Sequence, residues 1–342
     1  MTLLGLGIGL FTVSMFSLTS GAVDTGIGET FMALGEFLGF WSGDDGRLLA
    51  QILGQIRLPR LLLGIIAGGG LAITGAVLQA LFRNPMADPG LLGVSSGAAF
   101  GAATTIVLGV AFFKPVFLLV GNWLLLVMAF IGSFVSLTVV YRLSRINGRT
   151  DIATMLLAGV AVNAITGALI GLLSYVASDT QLRDMIFWSL GSLAVNDWRK
   201  LAVTALFAVP AAVALLFYAK ALNAQLLGEQ EARHLGHDVE ANKKKLILLA
   251  SLIVSVIVAM SGVIGFVGLI VPHLTRVVFG ADHRFLLPAS AICGAILLVL
   301  ADIFARVVAA PAEIPIGIVT AVLGGPFFLA LLMRHKRRQV VT

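Results

Sequence analysis

Asn223-Ala-Gln-Leu-Leu-Gly-Glu-Gln-Glu-Ala-Arg-His-Leu-Gly-His-Asp-Val-Glu-Ala-Asn-Lys-Lys-Lys245 is where an otherwise oily chain turns polar. Long apolar segments flank it on both sides, so it reads as a loop held at a membrane surface. Leu226, Leu227, Leu235 and Val239 give it a thin apolar stripe, and Gly228 and Gly236 break it into short pieces. The expected form is two short helices with a turn, lying flat on the membrane face. By composition alone, a plain solvated connector accounts for the stretch better, so the decision falls to the chain around it.

That chain has 342 residues, 59% of them hydrophobic and 12% charged, with a mean hydropathy of +1.03. A soluble domain of this composition would aggregate. Apolar runs of about 20 residues recur, the length at which a helix crosses a bilayer core. The shorter alternating segments of a membrane barrel are missing. The fold class is therefore all-α and polytopic, a single transmembrane domain over 1–342. About ten spans are expected, at 3–23, 60–82, 90–110, 120–141, 152–173, 200–220, 246–264, 265–280, 287–306 and 313–333. Sorting the 23 Lys and Arg by alternate loops puts fifteen on one side and eight on the other. The basic side is cytoplasmic, so both termini and the 223–245 loop are expected inside. The net charge of +6 sits beside spans and implies no nucleic-acid partner. The lone Cys293 allows no intrachain disulfide. The first run, Leu3 to Val23, has no basic leader or clear cleavage site. It reads as a span, and the chain is expected to begin a little short of a natural N-terminus.

Glycines cluster within spans, at Gly64, Gly68, Gly69 and Gly70, at Gly93, Gly97 and Gly101, and at Gly324-Gly325. Small residues at these spacings let helices approach closely in lipid. Pro85, Pro89, Pro272 and Pro315 interrupt other segments, and irregular backbone at membrane depth survives only where protein buries it or it lines a water-filled path. A packed bundle with broken helices points to a transporter rather than a structural scaffold. The chain has no G-x-x-x-x-G-K-[ST] loop for ATP, no H-E-x-x-H and no cysteine cluster. Its histidines (234, 237, 273, 283 and 335) fall on or near the basic side, and no metal site is expected. Asp302 and Arg306 lie near one end of a span. The other spans carry no central carboxylate, which disfavours a gradient-driven secondary carrier.

Three motifs then carry a resemblance: Arg57-Leu58-Pro59-Arg60; the stretch Gln79 to Gly93 with Asn84-Pro85-Met86 and Asp88-Pro89; and Ser261 to Arg276 with Pro272-His273. With Asp302-Ile-Phe-Ala-Arg306 and Glu313-Ile-Pro-Ile-Gly, they resemble the FecCD-type (BtuC-like) permeases of ATP-binding-cassette importers for iron–siderophore, haem or cobalamin. This is the large, ten-helix (type II) importer class, and the resemblance covers nearly the whole chain.

The resemblance implies a homodimer in the bacterial inner membrane, two ATPase subunits docked beneath, and a periplasmic binding protein above. It implies no enzymatic activity of the chain itself and no permanently bound cofactor. On it, the 223–245 loop becomes the coupling element, with Gly228, Glu229, Glu231, Arg233, His234, Leu235 and Gly236 facing the ATPase. Arg57, Arg60 and Arg306 match outer-face positions that pair with glutamates of the binding protein, a task suited to the bidentate guanidinium. Asn84 and Met86, with Ile152 and Ala153, match cytoplasmic gate regions; the second pair is apolar where some relatives carry hydroxyls. The run Gln181-Leu-Arg-Asp to Phe187-Trp-Ser-Leu-Gly-Ser-Leu193 is similar to haem permeases. Arg183 would meet the propionates, and Tyr175, Met185, Phe187 and Trp188 the flat ring. Haem is the expected cargo, with ferric siderophore and cobalamin as alternatives.

Overall fold

The computed structural model describes residues 2–21, 25–40, 47–112, 119–194 and 197–341, without the side chains of 47, 110–112, 332 and 334–341. Lys114 and the last two residues of the first expected span lie outside the described residues, as do the side chains of Arg47 and of the basic cluster at 334–338.

Backbone amides in hydrocarbon must be satisfied within the segment, and the apolar runs accordingly fold as helices. They are α1 (Thr2–Thr19), α2 (Ile27–Phe37), α3 (Arg47–Ile52), α4 (Leu58–Leu81), α5 (Val94–Phe112), α6 (Trp123–Leu143), α7 (Ile152–Val176), α8 (Asp179–Leu190), α9 (Trp198–Leu216), α10 (Ala219–Leu227), α11 (Glu229–His234), α12 (Val239–Ser261), α13 (Val267–Phe279), α14 (His283–Val307) and α15 (Ile316–Val341). A π-helical turn, Leu53–Arg57, joins α3 to α4, so Leu48–Leu81 is one continuous apolar run of 34 residues. Among the described residues, seven runs are long and apolar enough to cross a membrane, and Val94–Gly109, Val267–Phe279 and Ile316–Leu331 are shorter apolar helices. These follow the expected spans in order. The expectation for 265–280 is corrected in length: α13 has 13 residues, about 20 Å at 1.5 Å per residue, against the ~30 Å hydrocarbon core. The chain breaks before it, with Gly262 and Phe266 at φ +71° and +66°.

The bundle is organised around α4, which is buried along almost its whole length. Glycine sets its spacing to two neighbours. A Cβ on Gly68 would overlap the Gly294 carbonyl of α14, and one on Gly294 would overlap that of Gly68; a Cβ on Gly75 would overlap the backbone at Gly268. The neighbouring helices therefore approach through bare backbone. A second device answers Pro272. Proline has no N–H, so it leaves the carbonyl four residues earlier, that of Gly268, without its helical donor. The buried Gln79 supplies one: its Nε2 donates to Gly268 O at 3.3 Å and to Leu269 O at 3.1 Å.

A feature absent from the expectation is a β-ribbon between α6 and α7, β1 (Arg145–Ile146) antiparallel to β2 (Arg149–Thr150). Its two-residue turn, Asn147-Gly148, has φ of +50° and +80°. Positive φ at both positions is the turn type whose twist matches a hairpin, and Asn-Gly is its usual sequence.

Candidate functional site: two polar ends of the bundle

Polar side chains gather at two ends. At the first, the 223–245 stretch folds as expected into two short helices, α10 and α11, joined at Gly228 (φ +136°). Asp238 caps α12 by accepting from the Ala241 amide at 3.0 Å. The expected apolar stripe is divided. Val239 packs with Ala224 and Ala232 in a small core, whereas Leu226, Leu227 and Leu235 stand exposed, as do Glu231, Arg233 and His234. The elbow is tied to its surroundings at three points. Arg83 Nη2 donates to Gln225 O at 2.7 Å. Asn223 Oδ1 accepts from the His283 amide at 2.9 Å while its Nδ2 donates to Asp282 at 2.6 Å. Lys243 Nζ lies 2.7 Å from Glu229 Oε1.

The expected gate residues lie at this same end. Asn84 forms an Asx turn, accepting from the Met86 amide at 2.9 Å. Both are half-buried, as is Ile152, while Ala153 is exposed. The loop continues into a 3-10 turn, Pro89–Leu92, that rests on α7: Asn163 Nδ2 donates to Gly90 O at 3.2 Å, and Gly159 admits the Leu91 carbonyl. Ile152 and Ala153 open α7 behind Asp151, whose carboxylate caps the helix by accepting from the Thr154 amide at 2.7 Å. Hydrogen bonds from the Thr154 side chain and amide, helped by the Lys243 charge, hold this carboxyl below its ordinary range.

At the other end the arginines Arg57, Arg60 and Arg306 converge, but not as free forks. Arg57 and Arg60 are only 7% and 8% exposed. Arg60 Nε donates to both oxygens of Asp302, at 2.9 and 3.1 Å, and its Nη1 holds both oxygens of Glu313, at 2.8 and 2.9 Å. Arg306 Nε donates to Asp302 Oδ2 at 3.0 Å, its Nη1 to Ser20 O at 2.8 Å, and its Nη2 to Ser17 Oγ at 3.0 Å. Arg57 Nη1 donates to the carbonyls of Leu18 and Thr19. The carbonyls closing a helix lack intrahelical donors and sit at its negative pole. Arg57 and Arg306 supply both the donors and the charge for the end of α1. These guanidiniums are hydrogen-bonded inside the chain, and among the described residues of the cluster Glu313, with 46% of its side chain exposed, is the most open to solvent.

The expected ligand residues separate on α8. Arg183 and Phe187, one turn apart on one face, are exposed, and Tyr175 at the end of α7 is 88% exposed. Met185 faces the opposite way, buried among Ala103 and Val107 of α5, where it lines a separate cavity of about 170 Å³ with Trp188. Phe187 and Trp188 line a cavity of about 390 Å³ together with Asn122, Asp184, Lys200 and Ser192. Its cation is Lys200; Arg183 and Tyr175 are not among its walls. Lys200 has no local signature, since only the fold of α9 brings it beside α8. A second cavity of about 240 Å³ lies between Phe187 and the Arg60–Asp302–Glu313 cluster.

A multi-pass bundle with an exposed elbow at one end and an aromatic cavity at the other defines a membrane transport subunit. The profile of the FecCD transport family matches residues 9–334, and the chain belongs to that family; it is a transmembrane permease of the ATP-binding-cassette transporter class. It is 45% identical to the hemin transport system permease HmuU of Yersinia pestis over 303 residues, 89% of each chain. It is also 45% identical to the cobalamin import permease BtuC of Halobacterium salinarum over 287 residues, 84% of this chain and 74% of the relative. A solved metal-chelate type ABC transporter in an inward-facing conformation superposes with a TM-score of 0.81 at 32% identity, covering 97% of this chain and 98% of the other.

Proposed function

We propose that the chain imports haem across the inner membrane as a homodimer, served by two ATPase subunits at the elbow end and by a periplasmic binding protein at the arginine end. Both termini are then cytoplasmic, in agreement with the distribution of Lys and Arg over alternate loops. The haem reading draws on the hemin permease relative, which matches 89% of both chains. The cavity flanked by Phe187, Trp188 and Lys200 supports it physically: it offers aromatic surface to a flat ring and an ammonium to a propionate. The cobalamin permease relative of equal identity keeps cobalamin as the second reading.

The coupling role of Gly228–Gly236 is supported by the exposed Leu226, Leu227 and Leu235, apolar surface beside charged residues on a tethered elbow, as suits a docked partner. The binding protein is proposed to meet Arg57, Arg60 and Arg306, of which Arg60 is reached by exchanging a partner carboxylate for Glu313. Gate closure falls to Asn84, Met86, Ile152 and Ala153. The test is reconstitution of the permease with its ATPase subunits and binding protein in vesicles, with uptake of haem, cobalamin and a ferric siderophore compared. ATP-driven haem uptake is expected; uptake of cobalamin without haem would reverse the assignment. Deleting Gly228–Gly236 is expected to abolish ATPase assembly.

A further inference from the structure

Lys243 lies in the first turns of α12 with only 4% of the residue exposed, a rare burial for a lysine unless it is paired. Its Nζ stands 2.7 Å from Glu229 Oε1 and 3.2 Å from Glu240 Oε1, and it donates to the Thr150 carbonyl at 3.4 Å. Glu240 completes the ring by accepting from the Thr150 amide with its other oxygen at 2.9 Å. One ammonium therefore joins the start of α11, the first turn of α12 and strand β2. Thr150 is followed directly by Asp151, the cap of α7, and by Ile152 and Ala153. Glu229, Lys243, Ile152 and Ala153 line a common cavity of about 350 Å³ at this joint. Packed side chains do not fill that space, so the polar joint carries the contact.

We propose that Lys243 is a positioning residue that transmits movement of the elbow to the Thr150–Ala153 segment. The inference rests on the coupling and gate readings above and adds the connection between them. If α11 is displaced, Glu229 pulls on an ammonium that also holds the Thr150 carbonyl and, through Glu240, the Thr150 amide, so β2 and the start of α7 must follow or the buried charge loses its partners. Lys243 is the buried member of the pair, its side chain 5% exposed against 40% for Glu229, and a buried ammonium left without partners is unfavourable, which favours a closed joint through the stroke. The ribbon suits this use, because its pairing of Arg145 with Thr150 and of Ile146 with Arg149 ties Thr150 to the end of α6.

The test uses the assembled transporter in vesicles, with substrate uptake measured per ATP hydrolysed. Lys243→Met is expected to copurify with the ATPase subunits and to lower that ratio at least tenfold, with Lys243→Arg restoring most of it. Glu229→Gln is expected to lower it in the same direction and to add nothing in the Lys243→Met background. A wild-type ratio in Lys243→Met, or losses that add independently, would overturn the proposal. Should Lys243→Met yield no assembled complex, Glu229→Gln decides alone, and an unchanged ratio there overturns it too. Loss of the coupling reading is recognised separately, by ATPase subunits that still assemble after deletion of Gly228–Gly236.

Discussion

Arg60 grips Asp302 through two nitrogens, Nε at 2.9 Å and Nη2 at 2.9 Å, across 242 positions of chain. Asp302 also accepts from Arg306, one turn further along α14. With Glu313 on the open side, two cations and two carboxylates balance at the edge of an apolar bundle, and the two arginines turn their spare N–H groups onto the end of α1 or onto Glu313. The knot is therefore a fastener for α1, with Glu313 as its exposed edge.

Asp302→Asn should weaken the knot severely, because it leaves two buried guanidiniums facing a neutral group. Removing one member of a buried pair costs about 3–5 kcal/mol. Thermal unfolding of the purified permease is expected to shift down accordingly, and an unaltered midpoint would show the cluster to be hydrated rather than buried.

Glu313→Gln should act in the opposite sense on partner capture. Glu313 occupies Arg60 Nη1 with both oxygens, so it competes with any carboxylate presented from outside. Neutralising it is expected to tighten binding-protein capture several-fold, read as a lower Kd for the purified pair. Weaker capture would mean that Glu313 itself contacts the partner.

Gln79→Met removes the donor that serves the Gly268 carbonyl. A buried acceptor left unmade costs about 1–3 kcal/mol. Pro272→Ala restores a helical N–H to that same carbonyl, so the loss from Gln79→Met should be smaller in the Pro272→Ala background. A double-mutant cycle of unfolding free energies checks this; strictly additive losses would disprove the pairing.

Asp151 provides a pH dependence with a definite sign. Its carboxyl is held low, by the Thr154 hydrogen bonds first and then by Lys243. A carboxylate lowered in the folded state stabilises it above the ordinary carboxylate range, and the contribution fades as pH falls through the lowered native value. Amide-exchange protection of Thr154 should therefore be flat near neutrality and drop in acid. Asp151→Asn, still a good cap, should keep the protection and lose the drop.

Lys200→Gln and Arg183→Ala separate the two cations proposed for the cargo. Lys200 lines the aromatic cavity and Arg183 does not. If a propionate is held there, Lys200→Gln loses a charge-assisted bond of about 1.5–3 kcal/mol, roughly tenfold or more in apparent KM for haem uptake, and Arg183→Ala changes it less. The reverse order would return the site to the exposed face of α8.

The spans were legible because hydrocarbon imposes one solution on every apolar run, and hydropathy along the chain records it residue by residue. The breaks at Gly228 and Gly236 were legible too, because those glycines act through their own backbones, with φ of +136° and +82°; Pro272, expected to interrupt its segment, instead lies inside α13, and the chain breaks at Gly262 and Phe266. The ribbon between α6 and α7 had a local sign in Asn147-Gly148 that hydropathy does not register.

What the tertiary structure decided is where each polar group finds its partner. No local rule connects Arg60 to a carboxylate on α14, turns Met185 into the core while Phe187 faces outward, or brings Lys200 to the aromatic cavity. The same holds for Lys243, one of three adjacent lysines and the one that is buried. Periodicity assigns a face to each helix, but a buried charge is defined by its neighbours across the bundle, and those are set only when the helices close on one another.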